Sequence, residues 1–235
     1  MLPTDLLGAV GSCLKKINFS FLNWFQTAFE IIGYPVLWLE CISVSTGIIA
    51  VYLAAKEKII TWPLGLINII TAFFIYYHVQ LYSDMFLQCY FFSISIYGWY
   101  YWSREKEKQI PLKWLTTNQR VLLILGMLLS SAILGKIVSQ LHLIWPGVFP
   151  LPAAYPYMDT LVAIMSIVAN TLLAKRIIEN WLLWTLVNVL CVYLYIQKEI
   201  VFISFEFFVF LGISIFGLFE WMHLKKNQER KLQLN

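Results

Sequence analysis

Charged residues are scarce in this chain of 235 residues. Only 13% are Asp, Glu, Lys or Arg, whereas 60% are hydrophobic. Soluble domains carry about 25% charged residues, so this chain has too few charges to cover the surface of a soluble globule. An integral membrane protein is therefore expected. The net charge of +4 does not indicate a nucleic-acid partner, because the basic residues are mostly confined to short loops and the tail.

Cysteine pairs and metal-ligand clusters are also missing. The four cysteines form no C-x-x-C pair, so they are interpreted as small buried thiols rather than as disulfides or metal ligands. The three histidines are scattered near predicted helix ends. Neither a metal ion nor a cofactor is expected.

Catalytic and nucleotide-binding motifs are absent as well. Gly135 and Lys136 are followed by Ile137 rather than by Ser or Thr, and no glycine precedes them at the Walker A spacing. Neither G-x-S-x-G nor H-E-x-x-H occurs. We therefore expect neither an enzyme nor a transporter that hydrolyses ATP on this chain.

What the chain does have is a series of long hydrophobic runs. A transmembrane helix needs about 20 mostly apolar residues. Seven segments meet this criterion, near 36–55, 62–79, 85–102, 121–142, 158–175, 181–198 and 201–222. A membrane barrel is not indicated, because it needs strands of about ten residues with alternating hydrophobicity. The predicted fold class is an all-α integral membrane protein with seven transmembrane helices.

Residues 17–33 show a different pattern. Apolar side chains recur at helical spacing, while Asn23, Gln26 and Glu30 occupy other faces. This pattern predicts an amphipathic helix that lies in the membrane interface, within an N-terminal segment of residues 1–35. An eighth membrane span is the alternative.

The basic residues predict the orientation in the membrane. Thirteen Lys and Arg residues fall between helices 1 and 2, 3 and 4, and 5 and 6, and after helix 7. The opposite loops hold only Lys198, with Lys15 and Lys16 in the N-terminal segment. Cytoplasmic loops carry the excess of Lys and Arg, so the N-terminus is expected outside and the tail of residues 223–235 in the cytoplasm. An eighth span would move the N-terminus inside.

The sequence contains an internal repeat. A shift of 119 residues aligns 40–102 with 159–221 without a gap and gives 16 identities in 63 positions, among them Trp62 on Trp181 and Tyr76 on Tyr195. Each repeat, 36–102 and 158–222, holds three helices, and helix 4 lies in the linker of residues 103–157. Because three is odd, helix 4 leaves the two three-helix bundles parallel. This 3+1+3 plan resembles that of the SWEET sugar transporters.

Polar and aromatic side chains inside the spans are the candidates for substrate contacts. Polar groups are costly in lipid and usually face a cavity or the bundle interior. The candidates are Trp62 and Asn68 on helix 2, Asp84 and Gln88 on helix 3, Asn170 on helix 5, and Trp181, Trp184, Asn188 and Tyr195 along one face of helix 6. Two alternatives remain open. The tryptophans at helix starts can belong to an interfacial belt, and the asparagines can bond neighbouring helices.

The chemistry of these residues favours one class of ligand. Tryptophan faces attract flat rings and cations, and carboxamides pair with amides and hydroxyls. The spans hold too few cationic side chains for a phosphorylated ligand, which would want an Arg or Lys clamp. The pattern therefore predicts a nucleoside-like or vitamin-like solute rather than a nucleotide.

Several motifs resemble those of a known family. Y-S-D-M-F-L-Q at 82–88 and Y-G-W-Y-Y-W at 97–102 resemble the L-Y-x-D-x-x-L-Q…G-W-Y-x-W signature of PnuC-type vitamin transporters. E-N-W-L-L-W at 179–184 and W-P-L-G at 62–65 are similar to that family's motifs too. The resemblance covers about residues 35–222. One departure is Asn188, where many members of the family are expected to carry an aspartate.

The resemblance implies facilitated diffusion of nicotinamide riboside through the inner membrane of a bacterium. A separate cytoplasmic kinase would then trap the riboside by phosphorylation. Thiamine or riboflavin is the alternative substrate within the family, and a sugar is the alternative from the SWEET-like fold. A non-transporting membrane subunit is the alternative from a different class. The sequence leaves the oligomeric state open, including a homo-oligomer.

Overall fold

The described chain is almost entirely helical. The computed structural model describes residues 27–31, 34–78, 82–104, 110–147, 152–197 and 201–233. Within them lie seven helices, numbered here in chain order: α1 (Trp38–Ala55), α2 (Thr61–His78), α3 (Tyr82–Ser103), α4 (Thr117–Ile144), α5 (Pro156–Ala174), α6 (Glu179–Gln197) and α7 (Val201–Gln233). Helices α1, α4, α5, α6 and α7 are long and apolar enough to cross a membrane, and α2 is a shorter apolar helix. The predicted seven-helix membrane fold is confirmed.

Most helix ends lie within a few residues of the predicted ones, and α7 is the exception. It was expected to end near 222, but it continues to Gln233. The added residues are mostly Lys, Gln, Glu and Arg, which are good helix formers. Lys225 also contacts Glu229 one turn later, an i,i+4 ion pair. The helix therefore extends beyond its apolar segment.

The amphipathic helix predicted for residues 17–33 is wrong for residues 27–31, which form a strand. This strand, β1 (Thr27–Ile31), pairs antiparallel with β2 (Tyr34–Leu37), and the register shifts between Thr27 and Phe29. Aromatic and β-branched residues such as Phe29, Ile31 and Val36 favour strands, so local β propensity prevails over the helical spacing here. Residues 17–26 and 32–33 lie outside the described residues.

Helix packing divides the bundle into two equivalent halves. In the first half α1 packs on α2 and α2 on α3; in the second, α5 packs on α6 and α6 on α7. The halves meet where α1 contacts α7 and where α3 contacts α5. Because α5 is the counterpart of α1 and α7 that of α3, these two contacts are related by the internal repeat. The predicted pair of three-helix bundles joined by α4 is confirmed.

Helix α4 packs mainly on α5 and shows most of its surface. Only Met127, Ser131 and Gly135 are buried along it, whereas apolar side chains such as Leu122 and Leu129 are exposed. A helix that is apolar on its exposed face suits a lipid environment. Thr116 caps its start by accepting a hydrogen bond from the backbone of Gln119.

The turns after α1 and α5 have the same conformation. At the first, Glu57 N–H donates to Ala54 O and Lys58 N–H to Leu53 O; at the second, Arg176 and Ile177 make the corresponding bonds to Leu173 and Leu172. This bond pair is the Schellman motif, in which a left-handed residue ends a helix. Glu57 and Arg176 are those residues, with φ of 52° and 59°. The 119-residue repeat therefore extends to the backbone.

Four tryptophans form a buried cluster at one end of the bundle. Trp62 meets Trp102 edge-to-face at 5.3 Å, and Trp181 meets Trp221 in the same way at 5.6 Å. Trp102 and Trp221 then approach to 6.0 Å across the two halves. We call Trp62, Trp102, Trp181 and Trp221 the tryptophan cluster. We call the end of the bundle that contains it, with its surrounding Lys and Arg residues, the basic end.

Candidate substrate site

Trp62 and Trp181, two of the predicted site residues, lie in the tryptophan cluster. They are 3% and 1% exposed. Their rings pack flat against Gly98 and Gly217, where a Cβ would collide with the indole; at Gly217 it would lie 2.7 Å from Trp181. In the described part of the chain neither indole N–H meets an acceptor. Both rings therefore fill equivalent positions in the two halves.

Asn68 bonds a neighbouring helix of its own half. Its amide Nδ2 donates to Ser43 O at 2.7 Å and lies 3.1 Å from Ser43 Oγ, which joins α2 to α1. Gly47 allows this approach, because a Cβ there would lie 2.9 Å from the Asn68 amide nitrogen. The geometry agrees with the alternative role of an interhelical partner. Ser43 was not singled out in the sequence, and only the packing of the helices identifies it.

Asn188 lies buried between α6 and α7. It is 4% exposed, and its Nδ2 lies 3.5 Å from Ser214 Oγ. Thr185 Oγ1 also bonds Ser214 Oγ, at 3.1 Å. At 3.5 Å the Asn188 contact is at the limit of a hydrogen bond. The amide of Asn188 is thus loosely held compared with that of Asn68.

Trp184 and Tyr195 border an apolar cluster formed by Met127, Met165, Val187 and Cys191. Tyr195 stacks on Phe207 of α7 at 5.3 Å with an interplanar angle of 12°. Trp184 is half-buried, one turn from Trp181, or about 4.5 Å along the helix axis. Trp184 is therefore a half-buried ring one turn beyond the tryptophan cluster.

Gln88 and Asn170 lie on two helices that meet across the halves. Gln88 of α3 is 8% exposed, and Asn170 of α5 is half-buried. Between these helices Tyr90 OH lies 2.5 Å from Thr171 Oγ1 and 3.2 Å from Ile167 O. Tyr90 was missed in the sequence, because a lone tyrosine in an aromatic-rich run gives no signal. Asp84 belongs to α3, but its side chain lies outside the described residues.

The predicted residues therefore separate into two groups. Helix α5 contacts both α3 and α6, which brings the helices of Gln88, Asn170, Trp184 and Asn188 together. Trp62 and Trp181 lie at the basic end, and Asn68 is engaged with α1. The first group offers one aromatic ring and three carboxamides on three adjacent helices. We call the span between the tryptophan cluster and the opposite helix ends, in which these four residues lie at different depths, the middle of the bundle.

The helices around this group are almost free of positive charge. Helices α1, α2, α3, α5 and α6 contain neither Lys nor Arg. The ion pairs Lys56–Glu220, Arg120–Glu179 and Arg176–Glu57 all lie at the basic end. No group of three metal-binding side chains occurs among the described residues. These helices thus offer no Lys or Arg partner for a ligand with strongly charged oxygens.

Comparison with known proteins decides the family. The model of the nicotinamide mononucleotide transporter family matches residues 37–223, which include all seven helices down to the end of the apolar part of α7. The chain belongs to this family. Membership in the nicotinamide mononucleotide transporter family confirms the prediction of a transporter rather than an enzyme.

Characterised members of the family are similar over most of their length. The nicotinamide riboside transporter PnuC of Escherichia coli is 28% identical over 211 residues, which cover 81% of this chain and 87% of that protein. The riboflavin/roseoflavin transporter RibM of Streptomyces davaonensis is 23% identical over 217 residues, covering 89% of this chain and 96% of RibM.

A solved structure has the same fold. The crystal structure of the vitamin B3 transporter PnuC superposes with a TM-score of 0.61 and 24% sequence identity, covering 81% of this chain and 83% of that chain. The predicted resemblance to PnuC-type transporters is therefore confirmed.

Proposed function

We propose that this protein carries nicotinamide riboside across the inner membrane of a bacterium by facilitated diffusion. The observation that carries the proposal is a set of three carboxamides and one tryptophan on adjacent helices without Lys or Arg, in a member of this transporter family. Nicotinamide riboside combines a pyridinium cation, a carboxamide and ribose hydroxyls. These groups match a tryptophan face and carboxamide side chains.

The neutral interior favours the riboside over the mononucleotide. The family description names the mononucleotide, whereas the relative from Escherichia coli is a riboside transporter. The two ligands differ by one phosphate group. A buried phosphate needs Arg or Lys partners, and the helices that carry the four candidates contain none. A riboside needs only dipolar partners.

The proposed contacts come from the four residues in the middle of the bundle. Trp184 would stack on the pyridinium ring, while Gln88, Asn170 and Asn188 would bond the carboxamide and hydroxyls. None of the four is repeated in the other half. The aligned residues are Gly65 for Trp184, Phe207 for Gln88, Val51 for Asn170 and Ile69 for Asn188. An asymmetric ligand needs different contacts on its two sides. In this proposal Trp62, Trp181, Asn68 and Tyr195 support the framework, and Asp84 stays a candidate on α3.

Transport would proceed by rocking of the two three-helix bundles about the ligand. The thirteen basic residues that the sequence places after helices 1, 3, 5 and 7 favour a cytoplasmic location for the basic end. The C-terminus would then be cytoplasmic and the N-terminus outside. Each chain contains both bundles, so the pathway requires no second copy. A separate cytoplasmic kinase would trap the riboside by phosphorylation.

Calorimetric titration of the purified protein tests the substrate. The ligands are nicotinamide riboside, nicotinamide mononucleotide, thiamine and riboflavin, each added to protein in lipid nanodiscs. We expect saturable binding of the riboside and at least about 100-fold weaker binding of the mononucleotide, because burying an unpaired phosphate costs several kcal/mol. Binding of riboflavin or thiamine instead would overturn the riboside assignment and favour the alternatives within the family.

A tryptophan pair tests the site. Trp184→Ala should weaken riboside binding about 5- to 100-fold, since ring stacking contributes about 1–3 kcal/mol. Trp99→Ala removes a tryptophan that is 41% exposed on α3 and serves as the matched control. Uptake into proteoliposomes should follow the same order. Wild-type affinity in Trp184→Ala would remove Trp184 from the site.

A further inference from the structure

The two halves are tied together at the basic end by a set of reciprocal contacts. Trp102 Nε1 of the first half donates to Ala174 O of the second at 3.2 Å. Trp221 Nε1 of the second half donates to Ala54 O of the first at 3.1 Å. Lys56 and Glu220 add an ion pair of 2.9 Å between α1 and α7. These bonds hold the basic end closed.

Glu57 and Arg176 form the central link of this closure. Glu57 Oε1 lies 2.5 Å from Arg176 Nη2, and the Arg176 side chain is fully buried. The guanidinium also lies over the ring of Trp102 at 5.4 Å, a cation–π distance. A shift of 119 residues places Glu57 on Arg176. The pair therefore joins the same position of the two halves.

Glu57 and Arg176 both have a left-handed backbone conformation, which is unfavourable for residues with long side chains. Both residues occupy the left-handed position of a Schellman motif, where glycine is the usual residue because a Cβ is unfavourable there. Both copies instead carry long, charged side chains of opposite sign. The chain thus accepts an unfavourable backbone conformation twice, and in each case the side chain that it keeps bonds the other half.

We propose that Glu57 and Arg176 are the gate of the basic end, whose opening separates the two bundles on that side. Alternating access requires that the contacts closing one end break when the bundles rock. A buried ion pair between two equivalent turns can do this, because charged side chains regain water when they separate. This inference rests on the proposed transport function for its role, but its contacts are independent of the substrate.

Distance measurement between spin labels tests the gate without any substrate. The labels are placed at Ser103→Cys on α3 and Lys226→Cys on α7, both exposed at the basic end of opposite halves. The four native cysteines are replaced by serine, and the full chain is reconstituted in lipid nanodiscs. The closed structure should give one short-distance population.

Charge reversal should open the gate, and a charge swap should close it again. Glu57→Arg places two cations together, and a population at longer distance is expected. The double variant Glu57→Arg/Arg176→Glu should restore the short distance. Glu229→Arg is the matched control, because it makes the same charge change in a pair within α7. An unshifted distance in Glu57→Arg, or failure of the swap to restore it, would overturn the proposal.

Glycine variants separate opening from misfolding. Glu57→Gly and Arg176→Gly suit the left-handed turn but remove the link, so both should show the longer distance while the protein stays monodisperse. A short distance in both would also overturn the gate. Riboside uptake by the wild-type protein is measured in parallel. If the variants show the expected distances but the wild type takes up no riboside, the gate proposal is supported and the proposed substrate is refuted.

Discussion

The internal repeat is preserved in the tryptophans of the basic end but not in the candidate site residues in the middle of the bundle. At the basic end the four tryptophans are repeated and make similar contacts: Trp62 and Trp181 pack on Gly98 and Gly217, and Trp102 and Trp221 donate hydrogen bonds to helix ends of the other half. In the middle, Trp184 aligns with Gly65 in the repeat, and Asn188 aligns with Ile69. The repeated tryptophans and glycines thus build the framework at the basic end, whereas Trp184 and Asn188, which have no counterpart, are available for an asymmetric ligand.

The largest loss of stability is expected when a side chain is added at the glycines that contact the tryptophan cluster. Gly98→Ala and Gly217→Ala each push a methyl group into a buried indole, so each should lower the free energy of unfolding by about 1–3 kcal/mol. Thermal unfolding in detergent measures the effect. Gly212→Ala, whose methyl group would meet nothing within 4 Å, is the control on α7. Clearly unequal effects at Gly98 and Gly217 would contradict equivalent roles.

A substitution that makes the two halves identical at one position in the middle should weaken ligand binding without lowering the stability of the fold. Asn188→Ile copies Ile69 of the first half into the second and removes one amide. We expect riboside binding to weaken about 5- to 30-fold, as for one hydrogen bond or two of about 1 kcal/mol each, with little change in the melting temperature. Ile69→Val is the control for a small change at the equivalent position. A collapse of stability with unchanged affinity would assign Asn188 to the framework.

The two indole bonds join the halves in similar ways but differ in their acceptors: Ala54 aligns with Leu173 in the repeat, and Ala174 with Ala55. Trp102→Phe and Trp221→Phe each remove a donor from a buried backbone carbonyl. Each change should cost about 1 kcal/mol. Trp102→Phe is expected to cost more than Trp221→Phe, because Ala54 O still accepts a hydrogen bond from Glu57 N–H when Trp221 is replaced. Thermal melts of both variants and of the double variant measure this. A larger loss of stability in Trp221→Phe than in Trp102→Phe would contradict this order.

The smallest effect is expected at the exposed end of α7. Glu229→Gln removes the i,i+4 partner of Lys225, and such pairs contribute about 0.2–0.5 kcal/mol to a helix. We expect a melting temperature close to that of the wild type and unchanged riboside binding. A marked loss of binding would mean that the helical tail takes part in transport.

The sequence predicts the fold well because its main signals are local or periodic. Long apolar runs identify the helices, and the gapless repeat identifies the two bundles. The strand Thr27–Ile31 was misjudged, because a short aromatic segment satisfies helical spacing and β propensity together. The extension of α7 was missed, because hydropathy marks where the apolar segment ends rather than where the helix ends.

The candidate site is predicted less completely, because residue types do not reveal partners. Asn68 and Asn188 are both amides in apolar helices, yet Asn68 is bonded at 2.7 Å to Ser43 and Asn188 lies 3.5 Å from Ser214. Only the packing of α1 on α2 distinguishes them. The link between Tyr90 and Thr171 likewise depends on the contact of α3 with α5. The repeat helps, because it shows which candidates have a counterpart.

The Glu57–Arg176 pair has a consequence for how such a chain can arise by gene duplication. An assembly of two identical half-proteins about a two-fold axis places every residue near the axis opposite its own copy. Two copies of the first half would therefore set glutamate against glutamate, and two copies of the second would set arginine against arginine. Opposite charges at this position become available only after the gene for one half is duplicated and the two copies diverge. A pair of separately expressed halves should accordingly assemble as a heterodimer and reject self-association.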